Sequence, residues 1–186
     1  MSGNGHRHQR AWGWHPLRPD WAERLIRDAG VQPGDLVFDL GAGTGALTLP
    51  LIEAGADVVA IELHPNRARA LRRRVNGRAK VVQADLADLY LPARAFRVVS
   101  SPPYAISSAL VRTLLGAMSL RSADLVLQGG AARRLASGPP RAKHARRYRL
   151  QVGPAVPRRA FLKPPKVDSA VLQIRRASRS RARGAD

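Results

Sequence analysis

The stretch Val37-Phe38-Asp39-Leu40-Gly41-Ala42-Gly43-Thr44-Gly45 decides the fold. Its first four residues are apolar apart from one acid, as in a strand buried on both faces, and the rest alternates glycine with small side chains. Residues 46–54 resume at helical spacing. Strand, glycine turn and helix in that order open a doubly wound α/β sheet. Gly41, Gly43 and Gly45 let the chain turn tightly and approach a ligand where a Cβ would collide. Dinucleotide sites prefer G-x-G-x-x-G, a turn that offers amides to a pyrophosphate, whereas the spacing here is G-x-G-x-G with an acid two residues ahead. Taken alone, such a turn also fits an ordinary strand-to-helix connection.

Working outward, strand-length apolar runs recur at 36–40, 58–61, 80–83, 96–100 and 125–128, and helical stretches fit 21–29, 46–54, 65–75 and 107–115. Residues 149–152 and 170–174 read as two further strands, separated by a proline-rich segment and able to pair as an antiparallel edge. The pattern predicts a single α/β domain over residues 12–176: a Rossmann-like, mainly parallel seven-stranded sheet with an antiparallel edge. Residues 129–147 are rich in glycine, proline and basic side chains without clear periodicity and read as a long basic loop or weak helix. Residues 1–11 and 177–186 read as flexible basic tails.

Lys and Arg number 32 against 13 Asp and Glu, a formal charge of +19 over 186 residues. So large an excess of one sign points to a polyanionic partner, because each neutralised phosphate releases condensed counterions. Without cysteine, disulfides, thiolate metal sites and cysteine nucleophiles are excluded. No apolar run approaches the roughly 20 residues that span a bilayer, and the start lacks the apolar core of a signal peptide, so a cytoplasmic location is expected.

Glu62 follows Asp39 by 23 residues at the end of the next strand, where a carboxylate accepts both ribose hydroxyls of a bound nucleoside. Asp85, after the third strand, is placed to accept from an adenine amino group. Each acid alone is an ordinary surface residue, but acids at successive strand ends beside a glycine turn line the crevice where such sheets bind ligands. The fourth strand ends in Ser101-Pro102-Pro103-Tyr104. Pro-Pro removes two amide donors and stiffens the chain, which makes either a plain rigid turn or a set of fixed acceptors. An exocyclic amine is a poor nucleophile because its lone pair is delocalised into the ring. With the Ser101 side chain and the Pro102 carbonyl accepting its two N–H bonds and Tyr104 stacking on the base, the nitrogen can aim its lone pair at a methyl donor. No metal and no covalent intermediate are required.

Together with Phe161-Leu162-Lys163-Pro164-Pro165-Lys166-Val167-Asp168-Ser169-Ala170-Val171, these motifs resemble the erythromycin-resistance (Erm) family of 23S ribosomal RNA adenine N6-methyltransferases, from about Trp12 to about Arg176. The resemblance implies S-adenosylmethionine as cofactor, held by His15, Leu17, Gly41, Gly43, Gly45, Glu62, Leu63, Asp85, Leu86 and Ser101. It implies 23S rRNA as partner, a monomer, and resistance to macrolide, lincosamide and streptogramin B drugs. The catalytic set would be Ser101, Pro102, Tyr104 and Phe161, with Phe161 sandwiching the target adenine opposite Tyr104. Most members carry Asn at the position of Ser101, and Ser-Pro-Pro-Tyr is also similar to the motif of cytosine N4 DNA methyltransferases. Gly13-Trp14-His15-Pro16-Leu17 stands where the family has Gly-Gln-Asn-Phe-Leu, which implies either that His15 takes the Asn role beside the cofactor with Trp14 replacing Gln, or that Trp12 and Trp14 simply pack on the sheet. Members usually continue into a small helical RNA-binding domain, which this chain is expected to lack, leaving RNA affinity to 133–149, 67–74 and the tails. Small-subunit rRNA, DNA, or a non-catalytic RNA-binding role are the alternatives.

Overall fold

A computed structural model describes residues 14–138 and 142–177; both expected tails lie outside the described residues, apart from Ala177. Thirteen helices and strands follow in the order α1 (Pro19–Ala29), β1 (Leu36–Leu40), α2 (Thr48–Glu53), β2 (Asp57–Ile61), α3 (Pro65–Val75), β3 (Lys80–Val82), β4 (Phe96–Ser100), α4 (Ser107–Gly116), β5 (Leu120–Gln128), α5 (Gly129–Ala136), α6 (Ala142–Ala145), β6 (Tyr148–Val156) and β7 (Ser169–Arg176). They build one seven-stranded sheet in the order β3-β2-β1-β4-β5-β7-β6. The first five strands are parallel, and β7 runs antiparallel between β5 and β6. The predicted mainly parallel sheet with an antiparallel edge is therefore present.

Every residue of β1 is buried because helices cover both faces of the sheet. Alternate side chains serve opposite cores. Phe38, Phe96, Val98 and Leu125 pack with Leu110, Leu114 and Leu135 of α4 and α5, while Val37, Val99 and Val126 pack with Leu25, Ile26 and Leu51 of α1 and α2. α1 starts at Pro19, whose missing N–H costs nothing there, and stops at left-handed Gly30, whose N–H closes on the Arg27 carbonyl.

One expectation is narrowed and one corrected. In the segment 129–147 the helical alternative holds: α5 occupies its first eight residues, burying Ala132 and Leu135, and α6 forms a further turn. Glycine and arginine masked the spacing of those two anchors. β5 begins at Leu120, not at 125, because Asp124 is buried and neutralised by a two-pronged pair with Arg175 of β7, at 2.7 and 2.9 Å. Among the described residues no helix is long and apolar enough to cross a membrane.

Candidate active site

The carboxyl ends of β1, β2 and β4 meet at one edge. The N–H groups of Gly41 and Ala42 both donate to the Ile61 carbonyl, at 2.8 and 3.0 Å, so the glycine turn is stitched to the end of β2. Gly41 has φ +81°, and a Cβ there would lie 2.9 Å from Cδ of Pro103. The turn thus packs directly against the Ser-Pro-Pro-Tyr segment. Gly43, at φ +59°, supports the Trp14 indole, whose Nε1 would be 2.6 Å from an added Cβ.

Glu62 is buried beneath this turn. Its Oε2 accepts from the Gly43 N–H and its Oε1 from the His64 N–H, both at 2.8 Å. Arg67 of α3 adds an ion pair at 3.2 Å and lies over the Trp14 ring, 5.7 Å from its centroid. Within the segment 67–74, assigned from sequence to RNA affinity, Arg67 lines the cleft. The available signal was its place in the first turn of the helix that follows Glu62. The cleft holds about 670 Å³ including its open mouth and is lined by His15, Leu17, Leu63, Leu86 and Ser101 among others. Asp85 is not part of that lining. Its Oδ1 accepts from the Ala87 N–H at 2.9 Å and caps a short turn that delivers Leu86 to the cleft.

Asp39 also lines the cleft and accepts from the Thr48 hydroxyl at 2.6 Å. Burial pushes its carboxyl up from 3.8 to about 7, and the neighbouring Glu62 charge pushes the same way.

On the target side, Ser101 lines the cleft and its hydroxyl makes no hydrogen bond within the described residues. The Tyr104 hydroxyl is 2.6 Å from Ser169 Oγ, and its carbonyl accepts from Ser107 at the start of α4. Tyr104 is thereby fixed from both ends. The ring facing it is His15, at 5.9 Å between centroids and 25° between planes. Phe161 meets His15 edge-on at 6.4 Å and is only 2% exposed, packed in the core. The side chain stacked on Tyr104 is thus His15, with Phe161 behind it. A backbone bridge between Leu17 and Phe161 turns the phenyl ring inward and brings His15 over Tyr104. The Lys163 carbonyl, which only accepts, lies 2.8 Å from His15 Nδ1, so that nitrogen carries the proton. Among the described residues no group of His, Asp and Glu is placed to hold a metal.

The profile of the ribosomal RNA adenine dimethylase family matches residues 18–184. This chain belongs to that family. It is 36% identical over 185 residues to the ribosomal RNA small subunit methyltransferase A of Thermosynechococcus vestitus, covering 91% of this chain and 70% of the relative. It is 32% identical over 162 residues to an rRNA adenine N-6-methyltransferase of Bacillus licheniformis, covering 83% and 56%. The crystal structure of 23S rRNA methyltransferase ErmE superposes with a TM-score of 0.79 at 30% identity, covering 88% of this chain and 70% of that one. The chain spans 43% to 70% of the length of such curated relatives. Relatives of both kinds place it in the dimethylase family as a whole, a broader assignment than the Erm branch expected from its motifs.

S-adenosylmethionine is the cofactor of this dimethylase-family fold. The lining is compatible with it: Gly41 of the glycine turn, Asp39 and Glu62 border one open cleft, and two acids suit a ligand that carries a positive charge. Arg67 works against it, since it holds one Glu62 oxygen and adds a positive charge. Arg67→Leu is expected to tighten cofactor binding by about three- to fivefold, the scale of a partly exposed ion pair. Calorimetric titration reads this, and weaker binding would mean that Arg67 supports the cofactor.

Asp39 also sets a pH dependence. Because its folded value exceeds its unfolded one, the stability it contributes is full below about 3.8 and is lost as the pH rises towards 7. The cofactor-free protein is expected to melt at a lower temperature at pH 8 than at pH 5, and Asp39→Asn is expected to shrink that difference. Identical pH profiles for the two proteins would contradict the raised value.

Proposed function

We propose that this chain methylates the exocyclic N6 of an adenine in ribosomal RNA, with 23S rRNA as the substrate and macrolide, lincosamide and streptogramin B resistance as the consequence. The observation that carries the reading is the contact between the glycine turn and the Ser-Pro-Pro-Tyr segment at Gly41 and Pro103, which gives the cofactor cleft and the amine acceptors a common wall. When bound, S-adenosylmethionine supplies an electrophilic methyl group on a cationic sulfonium.

The chain's own residues then position the nucleophile. The Ser101 hydroxyl and the Pro102 carbonyl accept the two N–H bonds of the amine, and Tyr104 holds the base plane. Ser169 holds Tyr104 through its hydroxyl. His15 faces Tyr104 across the entry, and a base entering between the two rings requires them to part to about 7 Å. A paired adenine must be extruded to reach this site. Residues 12–176 form the catalytic unit, acting as a cytoplasmic monomer.

A second reading, methylation of small-subunit rRNA, is favoured by the 36% identity to the small subunit methyltransferase A. One experiment separates them: transfer of labelled methyl to protein-free 16S and 23S rRNA in parallel, with modified positions mapped by primer extension. Label in 23S at the drug-binding loop supports the first reading, label only in 16S selects the second, and no label in either defeats both.

A further inference from the structure

Beside the target pocket a second depression opens between the start of α5 and the β6–β7 edge. It encloses about 1020 Å³ including its open mouth. Ser169, which bonds the Tyr104 hydroxyl, forms the wall shared with the target pocket. Gln128, the last residue of β5, also lines it, so the depression lies at the same carboxyl edge of the sheet as Ser101.

Its lining is rich in small residues, with Ala155 and Ala170 beside three glycines. Gly129, Gly130 and Gly153 line it, and at Gly153, beside the β6 bulge between Val152 and Ala155, an added Cβ would lie 2.8 Å from the Gln173 side chain, which would have to move aside. Val152 and Val167 are 42% and 45% exposed on its rim. Its one cation is Arg133, whose guanidinium folds over Gly129 without an acidic partner among the described residues. Asp168 is the one acid, and its Oδ1 accepts from the Arg158 N–H at 3.1 Å.

An open groove lined by small residues, with two exposed valines and an arginine that has no acidic partner among the described residues, suits a ribose-phosphate chain with one unstacked base. We propose that this groove holds the nucleotide adjoining the target adenine, its phosphate on Arg133 and its base against Val152 and Val167. The inference rests on the reading that an adenine occupies the pocket at Tyr104. A strand whose base turns into that pocket continues past Ser169, and the groove is the depression that opens there. Charge complementarity selects RNA as the occupant, since the chain carries a formal charge of +19.

The test measures binding of protein-free 16S and 23S rRNA, across a salt series, to the wild type, Arg133→Ala, Val152→Asp and Arg121→Ala. Arg121 lies near the start of β5, at the opposite edge of the sheet, and serves as the charge-matched control. Arg133→Ala is expected to weaken RNA binding several-fold and to lower the slope of log affinity against log salt by about one, as loss of one phosphate contact does. Val152→Asp is expected to weaken binding as well. S-adenosylmethionine affinity should be unchanged in all variants, which also reports that each is folded. Equal behaviour of Arg133→Ala and Arg121→Ala, or full RNA affinity in Val152→Asp, would overturn the groove while leaving methyl transfer by the wild type intact. A wild type that neither binds nor methylates either RNA would remove the functional reading, and the groove with it.

Discussion

Tyr104→Ala is expected to lower the single-turnover rate of methyl transfer to RNA by about 100-fold or more, with cofactor affinity changed by less than about twofold. A hundredfold is about 2.7 kcal/mol, and base stacking on an aromatic ring supplies about 1–3 kcal/mol of it. The remainder comes from orientation: without the ring, the amine is no longer held with both N–H bonds on the Ser101 and Pro102 acceptors, and small misplacements are costly. Tyr104 is not among the residues lining the cofactor cleft, which is why cofactor affinity should survive. Tyr104→Phe separates the two contributions. It keeps the stacking face and loses only the 2.6 Å contact with Ser169, so a loss of about tenfold is expected. Calorimetric titration of S-adenosylmethionine with rapid-quench transfer to rRNA measures both quantities. A full rate in Tyr104→Ala would show that the base does not stack there.

The parts of this fold legible in the sequence are those written in local pattern. The five residues of β1 are buried on both faces and so read as one apolar run, and the glycines at 41, 43 and 45 mark the turn because backbone geometry tolerates little else there. Glu62 was legible from its place at the end of a strand. What escaped depends on partners far away in the chain. The start of β5 was hidden because Asp124 is a strand residue only with Arg175 beside it. Arg67 looked like any other arginine of a basic helix until α3 docked over Trp14. The burial of Phe161 and the placement of His15 over Tyr104 accompany a bridge between Leu17 and Phe161, which no local pattern announces. Asp85 shows the same limit in reverse, since an acid after a strand end serves equally as a ligand or as the cap of the next turn.

Glu62→Ala is expected to weaken S-adenosylmethionine binding by about 100-fold and to lower the melting temperature of the cofactor-free protein. Both effects trace to the same carboxylate. The carboxylate joins the glycine turn to the start of α3 by accepting from Gly43 and His64 at 2.8 Å each, and alanine leaves both N–H groups without that acceptor. Hydrogen bonds to a charged group contribute about 1.5–3 kcal/mol apiece, so losing the proposed contacts to ribose hydroxyls is enough to cover the about 2.7 kcal/mol of a hundredfold loss. Glu62→Gln should fall between the two proteins, because its amide accepts through one oxygen only. The Arg67→Leu exchange supplies an internal control. It is expected to tighten binding when Glu62 is present, because it frees a carboxylate oxygen, and to do far less in the Glu62→Ala background, where there is nothing to free. A double-mutant cycle on cofactor affinity therefore isolates the competition between Arg67 and the ribose. Equal effects of Arg67→Leu in the two backgrounds would mean that the arginine acts on the cofactor through its charge alone, and that the ion pair with Glu62 has no part in setting affinity.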